Sequence, residues 1–229
     1  MTVTTVERLD LRFEPKSWAF AEQRRTEIDA LFAQKQRANP RLWNGRVLLL
    51  HHFHIEAGVL HGAFLEADYA SMNSWLGWGM PDAGISDCFG AAAVMGSDGS
   101  FLLGQMAAHT ANAGRIYFPC GTPDLSDVAD GMVDFDHSIA RELLEETGLR
   151  VDEFQAEPGW TILQQRARVV AYRVLRAPEP GEALRDRVEA HIKSDPHSEL
   201  AAAHLVRSPT DITPAIPDYA ATFLRHRWR

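Results

Sequence analysis

Glu142, Glu145 and Glu146 stand at i, i+3 and i+4, a spacing that puts three carboxylates on one face of a helix. Like charges this close repel one another unless a cation joins them. Mg²⁺ suits such a face: it takes oxygen ligands, keeps several waters and bridges to substrate phosphates. The same spacing also describes a solvated acidic face, which is common on surface helices. Arg141 precedes the acids and reaches Glu145 at i+4, where it can orient that carboxylate. The helix has its own start and stop signals. Asp134 is placed to cap it, Asp136 faces the dipole in the first turn, and Gly148 can end it in a left-handed turn. Ile139, Leu143 and Leu144 are expected on its buried side.

The elements that must hold this helix can be read along the chain. Lys16–Arg37 predicts one amphipathic helix, with Trp18, Ala21, Ile28, Leu31 and Phe32 on a face and Asn39-Pro40 as its end. Arg46–Glu56 and Ala57–Leu65 predict a hairpin, and Tyr69–Leu76 a helix. Gly77–Asp87 is the best internal boundary. Ala91–Met95 and Phe101–Gly104 flank the turn Gly96-Ser97-Asp98-Gly99 and predict strand, tight turn, strand. Arg115–Pro119 reads as a short strand and Pro119–Val133 as a long loop. The helix at Asp136–Thr147 follows. Trp160–Leu175 holds one or two strands, Glu182–Lys193 a helix, Leu200–Val206 a strand and Pro217–Arg227 a last helix. Strands and helices without regular alternation predict an α+β fold.

The run Arg141-Glu142-Leu143-Leu144-Glu145-Glu146-Thr147-Gly148-Leu149 resembles the second half of the Nudix box of MutT-like hydrolases at every fixed position. Phe118-Pro119-Cys120-Gly121 resembles the entry to that box, with Cys120 in place of its first glycine. The resemblance covers about residues 86 to 229. It implies a Nudix-type α/β/α sandwich with a mixed sheet, preceded by an N-terminal α+β extension over residues 1–85. It also implies a Mg²⁺-dependent hydrolase, with Mn²⁺ as a substitute, cleaving the diphosphate of a nucleoside diphosphate linked to another moiety. Glu142, Glu145 and Glu146 would hold the metal, and Arg141, Glu145 and Glu199 would serve catalysis. Glu199 is the candidate for a further acid from a loop after the box; Glu182 and Glu189 compete from a helix that reads as solvent-facing. The chain departs from the pattern where Val133 replaces a glutamate eight residues before Arg141. A loop about six residues longer accounts for this, and it carries Asp124, Asp127 and Asp130. One of these, or Asp134, could replace the missing acid, but solvating the loop is the preferred role. The departure keeps open a catalytically impaired nucleotide-binding or regulatory protein.

The chain has 229 residues and a formal net charge of −8, which disfavours nucleic acid as a partner and leaves a small nucleotide substrate. Cys88 and Cys120 form no disulfide framework. No apolar run reaches a membrane span and no leader is evident, so the expectation is a cytoplasmic protein without membrane partners. Family habit adds a homodimer to the expectations. His51, His52 and His54 are read as interior or interface strand residues rather than a metal cluster. Trp75 and Trp78 are read as core, with stacking on a base as the rival role, and Arg115 and Arg166 as surface residues with phosphate contact as the rival role. An acidic surface helix on an unrelated fold is the remaining alternative.

Overall fold

The computed structural model describes residues 1–228. The chain opens with β1 (Thr2–Val6), β2 (Arg8–Phe13), α1 (Ala19–Gln23), α2 (Arg25–Ala38), β3 (Arg46–Glu56), β4 (Val59–Asp68) and α3 (Tyr69–Gly77). It continues with β5 (Asp87–Met95), β6 (Phe101–Met106), β7 (Ile116–Tyr117), β8 (Cys120–Gly121), β9 (Val128–Ala129), β10 (Met132–Val133) and α4 (Phe135–Thr147). β11 (Gln155–Ala156), β12 (Trp160–Gln165), β13 (Arg168–Arg176), α5 (Gly181–Ser194), β14 (Leu200–Val206) and α6 (Asp218–Arg227) complete it.

The larger sheet runs β1-β12-β13-β5-β6-β14, with β11 on β13, β8 on β5 and β7 on β6. β13 is parallel to β5, whereas β12 and β13 pair antiparallel, so the sheet is mixed. The expected hairpin of β5 and β6 closes only at its turn, where Met95 pairs with Phe101. Beyond that pair the strands part. The segment carrying β7 and β8 enters the split and takes their hydrogen bonds, as when Ala92 N–H donates to the Pro119 carbonyl at 2.9 Å. This split brings Cys120 and Gly121 beside α4.

Helices cover both faces. Phe89 and Gly90 are neighbours on β5 and so point to opposite sides. Phe89 meets Tyr219 of α6, with ring centroids 6.0 Å apart. A Cβ at Gly90 would touch Ile139 of α4 at 2.8 Å. α4 and α6 therefore lie on opposite faces, giving an α/β/α arrangement of mixed class. α5 lies on the α4 side, where His191 packs on Gly148.

The smaller sheet runs β3-β4-β2-β10-β9. Its strand β3 opens with a continuous run, Val47-Leu48-Leu49-Leu50, because both faces are covered there. Leu48 and Leu50 join the core shared with the larger sheet, while Val47 and Leu49 face the helices α1 to α3. Phe64 reaches Phe135 at the start of α4, with centroids 5.8 Å apart. Beyond a bulge between Leu50 and His52 the cover ends, and His52 and His54 are exposed.

Two elements differ from expectation. The helix over Lys16–Arg37 is broken at Arg24, whose guanidinium turns onto the Trp78 ring at 4.2 Å and onto Glu27. Residues 119–133 are not an open loop. Leu125–Asp127 forms a capped 3₁₀ turn, and β9 and β10 form a hairpin. Asp130 and Gly131 make the turn of that hairpin at φ +50° and +75°, the left-handed pair that a two-residue β turn requires. The hairpin then docks on β2 through Met132 and Arg12. No helix is long and apolar enough to cross a membrane among the described residues.

Candidate active site

α4 is held by its ends and its buried stripe. Asp134 accepts the His137 N–H at 3.0 Å as N-cap, and Gly148 ends the helix at φ +71°. Ile139 and Leu143 are buried against the sheet. Leu144, expected beside them, is instead half-exposed, because a one-residue step turns it about 100° away from Leu143.

The same rotation decides the three acids. Glu146 is 6% exposed and points inward beside Cys120. It forms no ion pair among the described residues, and the nearby Cys120 backbone only partly offsets the rise of its carboxyl. Burial, then the charges of Glu142 and Glu199, push its carboxyl well above the usual range. Glu142 is pushed up to about 7, chiefly by burial and against the pull of Arg141. Its carboxylate occupies the space over Gly121, where a Cβ would overlap it. Glu145 is largely exposed.

Arg141 does not chiefly serve Glu145, as its i+4 spacing suggested. Its Nη1 donates to Glu142 at 2.7 Å and reaches Glu145 only at 3.4 Å, while Nη2 donates to Asp127 at 3.0 Å. Asp127 is the larger correction. It was expected to solvate a loop, yet its side chain is fully buried and also accepts the Asp124 N–H at 3.0 Å. The 3₁₀ turn carries it under α4, where it anchors Arg141. Asp124 caps that turn, Asp130 sits in the hairpin, and Asp134 caps α4. Val133 is buried and paired with Val128.

Glu142, Glu145, Glu146 and Glu199 all line one cavity of about 1340 Å³. Glu199 arrives at the start of β14, where its carbonyl accepts the Ala107 N–H at 2.8 Å. Its charge acts on both Glu142 and Glu146. Asn39, Arg41, Trp43 and Tyr69 from the N-terminal segment form another wall, tied by Asn39 Nδ2 donating to the His109 carbonyl at 3.2 Å. Seven carboxylates and four arginines line the space, so it carries an acidic excess. As oriented, no three His, Cys, Asp or Glu side chains among the described residues gather tightly enough to enclose a cation.

Other candidates fall outside or at the margin. Glu182 pairs with Arg185 on the surface, and Glu189 is not simply solvent-facing, because it accepts the Ala203 N–H at 2.8 Å. His54 stacks on His61 at 4.9 Å, and His61 Nδ1 lies 3.0 Å from Asp10 Oδ2. Trp75 is fully buried and Trp78 carries Arg24, so neither faces the cavity. Arg115 lines it, whereas Arg166 occupies the exposed turn after β12 at φ +51°. Cys120 lines the cavity, and burial, then Glu146 and Glu142, push its thiol well up. Sequence reasoning missed Arg168, Asp87, Tyr219 and Trp43, which all line the cavity. Only Trp43, an aromatic in a polar Asn-Pro-Arg-Leu-Trp-Asn-Gly turn, carried a local signal.

The chain matches no family model and no curated protein. Among solved structures it is similar to a MutT Nudix hydrolase from Burkholderia pseudomallei, at 18% identity over 61% of this chain and 96% of that one, with a TM-score of 0.41. The MutT protein from Methanosarcina mazei Go1 aligns at 18% identity over 62% and 91%, with a TM-score of 0.38. A bifunctional NMN adenylyltransferase/ADP ribose pyrophosphatase from Francisella tularensis aligns at 13% identity over 69% and 45%, with a TM-score of 0.43.

Proposed function

We propose that the chain is a Mg²⁺-dependent hydrolase of Nudix type that cleaves the diphosphate of a nucleoside diphosphate linked to another moiety. The observation that carries this is Glu146. A carboxylate buried without a cationic partner is costly, and burial among further carboxylates compounds the cost. Glu142, Glu145 and Glu199 share its cavity. A divalent cation relieves that cost, and the all-oxygen donor set suits Mg²⁺. Mg²⁺ keeps several waters and needs only one or two carboxylates, so a tight cage of side chains is not required.

Glu142, Glu145 and Glu146 would hold the metal. Bound there, it would neutralise the diphosphate and make a water more acidic. Glu145 and Glu199, both exposed and lining the cavity, would orient the attacking water and take its proton. The water oxygen would bond to phosphorus as the bridging P–O bond breaks, releasing a nucleoside monophosphate and the phosphorylated second moiety. Arg141 is a positioning residue: Asp127 fixes its guanidinium, which in turn fixes Glu142. Mn²⁺ would substitute for Mg²⁺, because both take octahedral oxygen sites.

The test is release of monophosphate from nucleotide sugars, dinucleoside polyphosphates and ADP-ribose with Mg²⁺, with Glu146→Gln as control. Turnover lost in the variant supports the reading. No turnover by the intact protein on any of these overturns it. The buried Val133 favours a second reading, a nucleotide-binding protein without hydrolysis; binding of nucleoside diphosphates without turnover would establish that one.

A further inference from the structure

Arg168 opens β13 and Asp87 opens β5, its parallel neighbour, and the register sets the two side by side. The Asp87 side chain is 6% exposed, and one of its oxygens takes both Nε and Nη2 of Arg168 at 3.0 Å. The guanidinium lies 5.2 Å from the ring centre of Tyr219 and 5.9 Å from that of Phe89. No acceptor among the described residues meets its Nη1. The residue is one-third exposed, and that exposure is onto the cavity that holds the acids of α4.

A buried ion pair of this kind is a poor way to gain stability, since a packed apolar pair does as well. What it supplies is a fixed fork. One edge of the guanidinium is tied to Asp87 and both aromatic rings restrict its plane, so the other edge is preset for a planar or tetrahedral oxyanion. The other arginines of the cavity cannot serve alike. Arg141 is committed to Asp127 and Glu142, and Arg41 and Arg115 are exposed at the rim. Arg168, Asp87, Cys120, Glu142 and Glu146 line the same cavity, so the acids and the fork share one space.

We propose that Arg168 is a specificity-determining residue, its free guanidinium edge binding phosphoryl oxygens of the substrate on the side away from α4. Asp87 is its positioning residue, and Phe89 and Tyr219 shield the contact from water. This rests on the reading of the cavity as a diphosphate site.

The test is calorimetric binding of inorganic pyrophosphate with Mg²⁺, alongside KM for any panel substrate. Charge-assisted hydrogen bonds of this type are worth about 10- to 100-fold in affinity. Arg168→Met should weaken pyrophosphate binding by that factor and raise KM, and Mn²⁺ affinity without anion should be unchanged. Arg168→Lys keeps the charge but not the fork and should recover only part. Asp87→Asn should loosen the fork and raise KM while Arg168 keeps its charge. Pyrophosphate affinity within threefold of the intact protein in both Arg168 variants overturns the proposal, including the case where only nucleoside affinity falls. If Arg168→Met does not fold, Arg168→Lys and Asp87→Asn decide the matter. Pyrophosphate bound but no substrate turned over would fell the hydrolase reading and leave this one. Turnover with unchanged KM in the variants would do the reverse.

Discussion

Glu142 owes its position to a residue with no side chain. Gly121 enters the split between β5 and β6 directly under the Glu142 carboxylate, and a Cβ there would overlap it. The carboxylate is the far end of a flexible side chain, so Gly121→Ala should be absorbed by rotation rather than unfolding. We expect a stability loss below about 1 kcal/mol, as for changes outside the core. Mn²⁺ affinity, followed by electron paramagnetic resonance, should fall about 10- to 100-fold, the range for losing the groups that orient metal ligands. Unchanged Mn²⁺ affinity would remove Glu142 from the ligand set. At this scale the sequence was most informative where chemistry is local. The i, i+3, i+4 acids were visible because helix geometry depends on neighbours, whereas Gly121 was singled out only by the resemblance of Phe118–Gly121 to the family's motif. Arg168 and Asp87 were not, because they stand 81 residues apart in the chain and meet only through the register of two strands, which no local pattern encodes.

The helix α4 is an element held from below as well as at its ends. Asp127, carried on its 3₁₀ turn, satisfies Arg141 from a fully buried position, while Asp134 caps the first turn. These two acids look alike in the sequence, each in a polar segment before the helix, and they should behave differently. Asp134→Ala removes an exposed cap and should cost about 1 kcal/mol. Asp127→Asn breaks a buried charge pair and should cost about 2–3 kcal/mol, the lower end of such losses because Arg141 keeps Glu142. Urea unfolding midpoints would distinguish them; equal costs would mean that Asp127 does not support Arg141. The long segment before α4 was legible as an insertion but not as a hairpin. Its strands β9 and β10 are two residues each, too short for an alternating pattern, and exist because β2 offers an edge. The helices α4, α5 and α6 were legible nearly to their ends, with Gly148 as the stop signal of α4.

At the scale of the whole molecule, the sheets exchange segments. β1, from the first residues of the chain, forms an edge of the larger sheet on β12, and Leu48, Leu50 and Phe64 share its core. Residues 86–229 expressed alone should therefore fail to give a cooperative unfolding transition, while the full chain gives one; a cooperative fragment would show that the first 85 residues are an independent addition. The same shared core buries the acids, and this ties stability to pH. Both Glu142 and Glu146 bind protons more tightly in the folded chain than in the unfolded one, where 4.5 is the ordinary value. Between about pH 4.5 and 7 the folded state thus holds more protons, so stability falls as pH rises through that window. The metal-free protein should lose thermal stability from pH 5 to pH 8, as Glu142 gives up its proton near 7 and burial opposes the charge on Glu146. If these acids hold Mg²⁺ as proposed, only their ionised forms would bind it, so it should raise the unfolding temperature at pH 8 and have little effect at pH 5. Glu146→Gln should flatten the metal-free profile and stabilise the chain at pH 8, because it removes the buried charge while keeping the shape. A variant less stable than the parent at pH 8 without metal would mean that Glu146 is satisfied within the protein, and the case for a cation beside it would lose its main support.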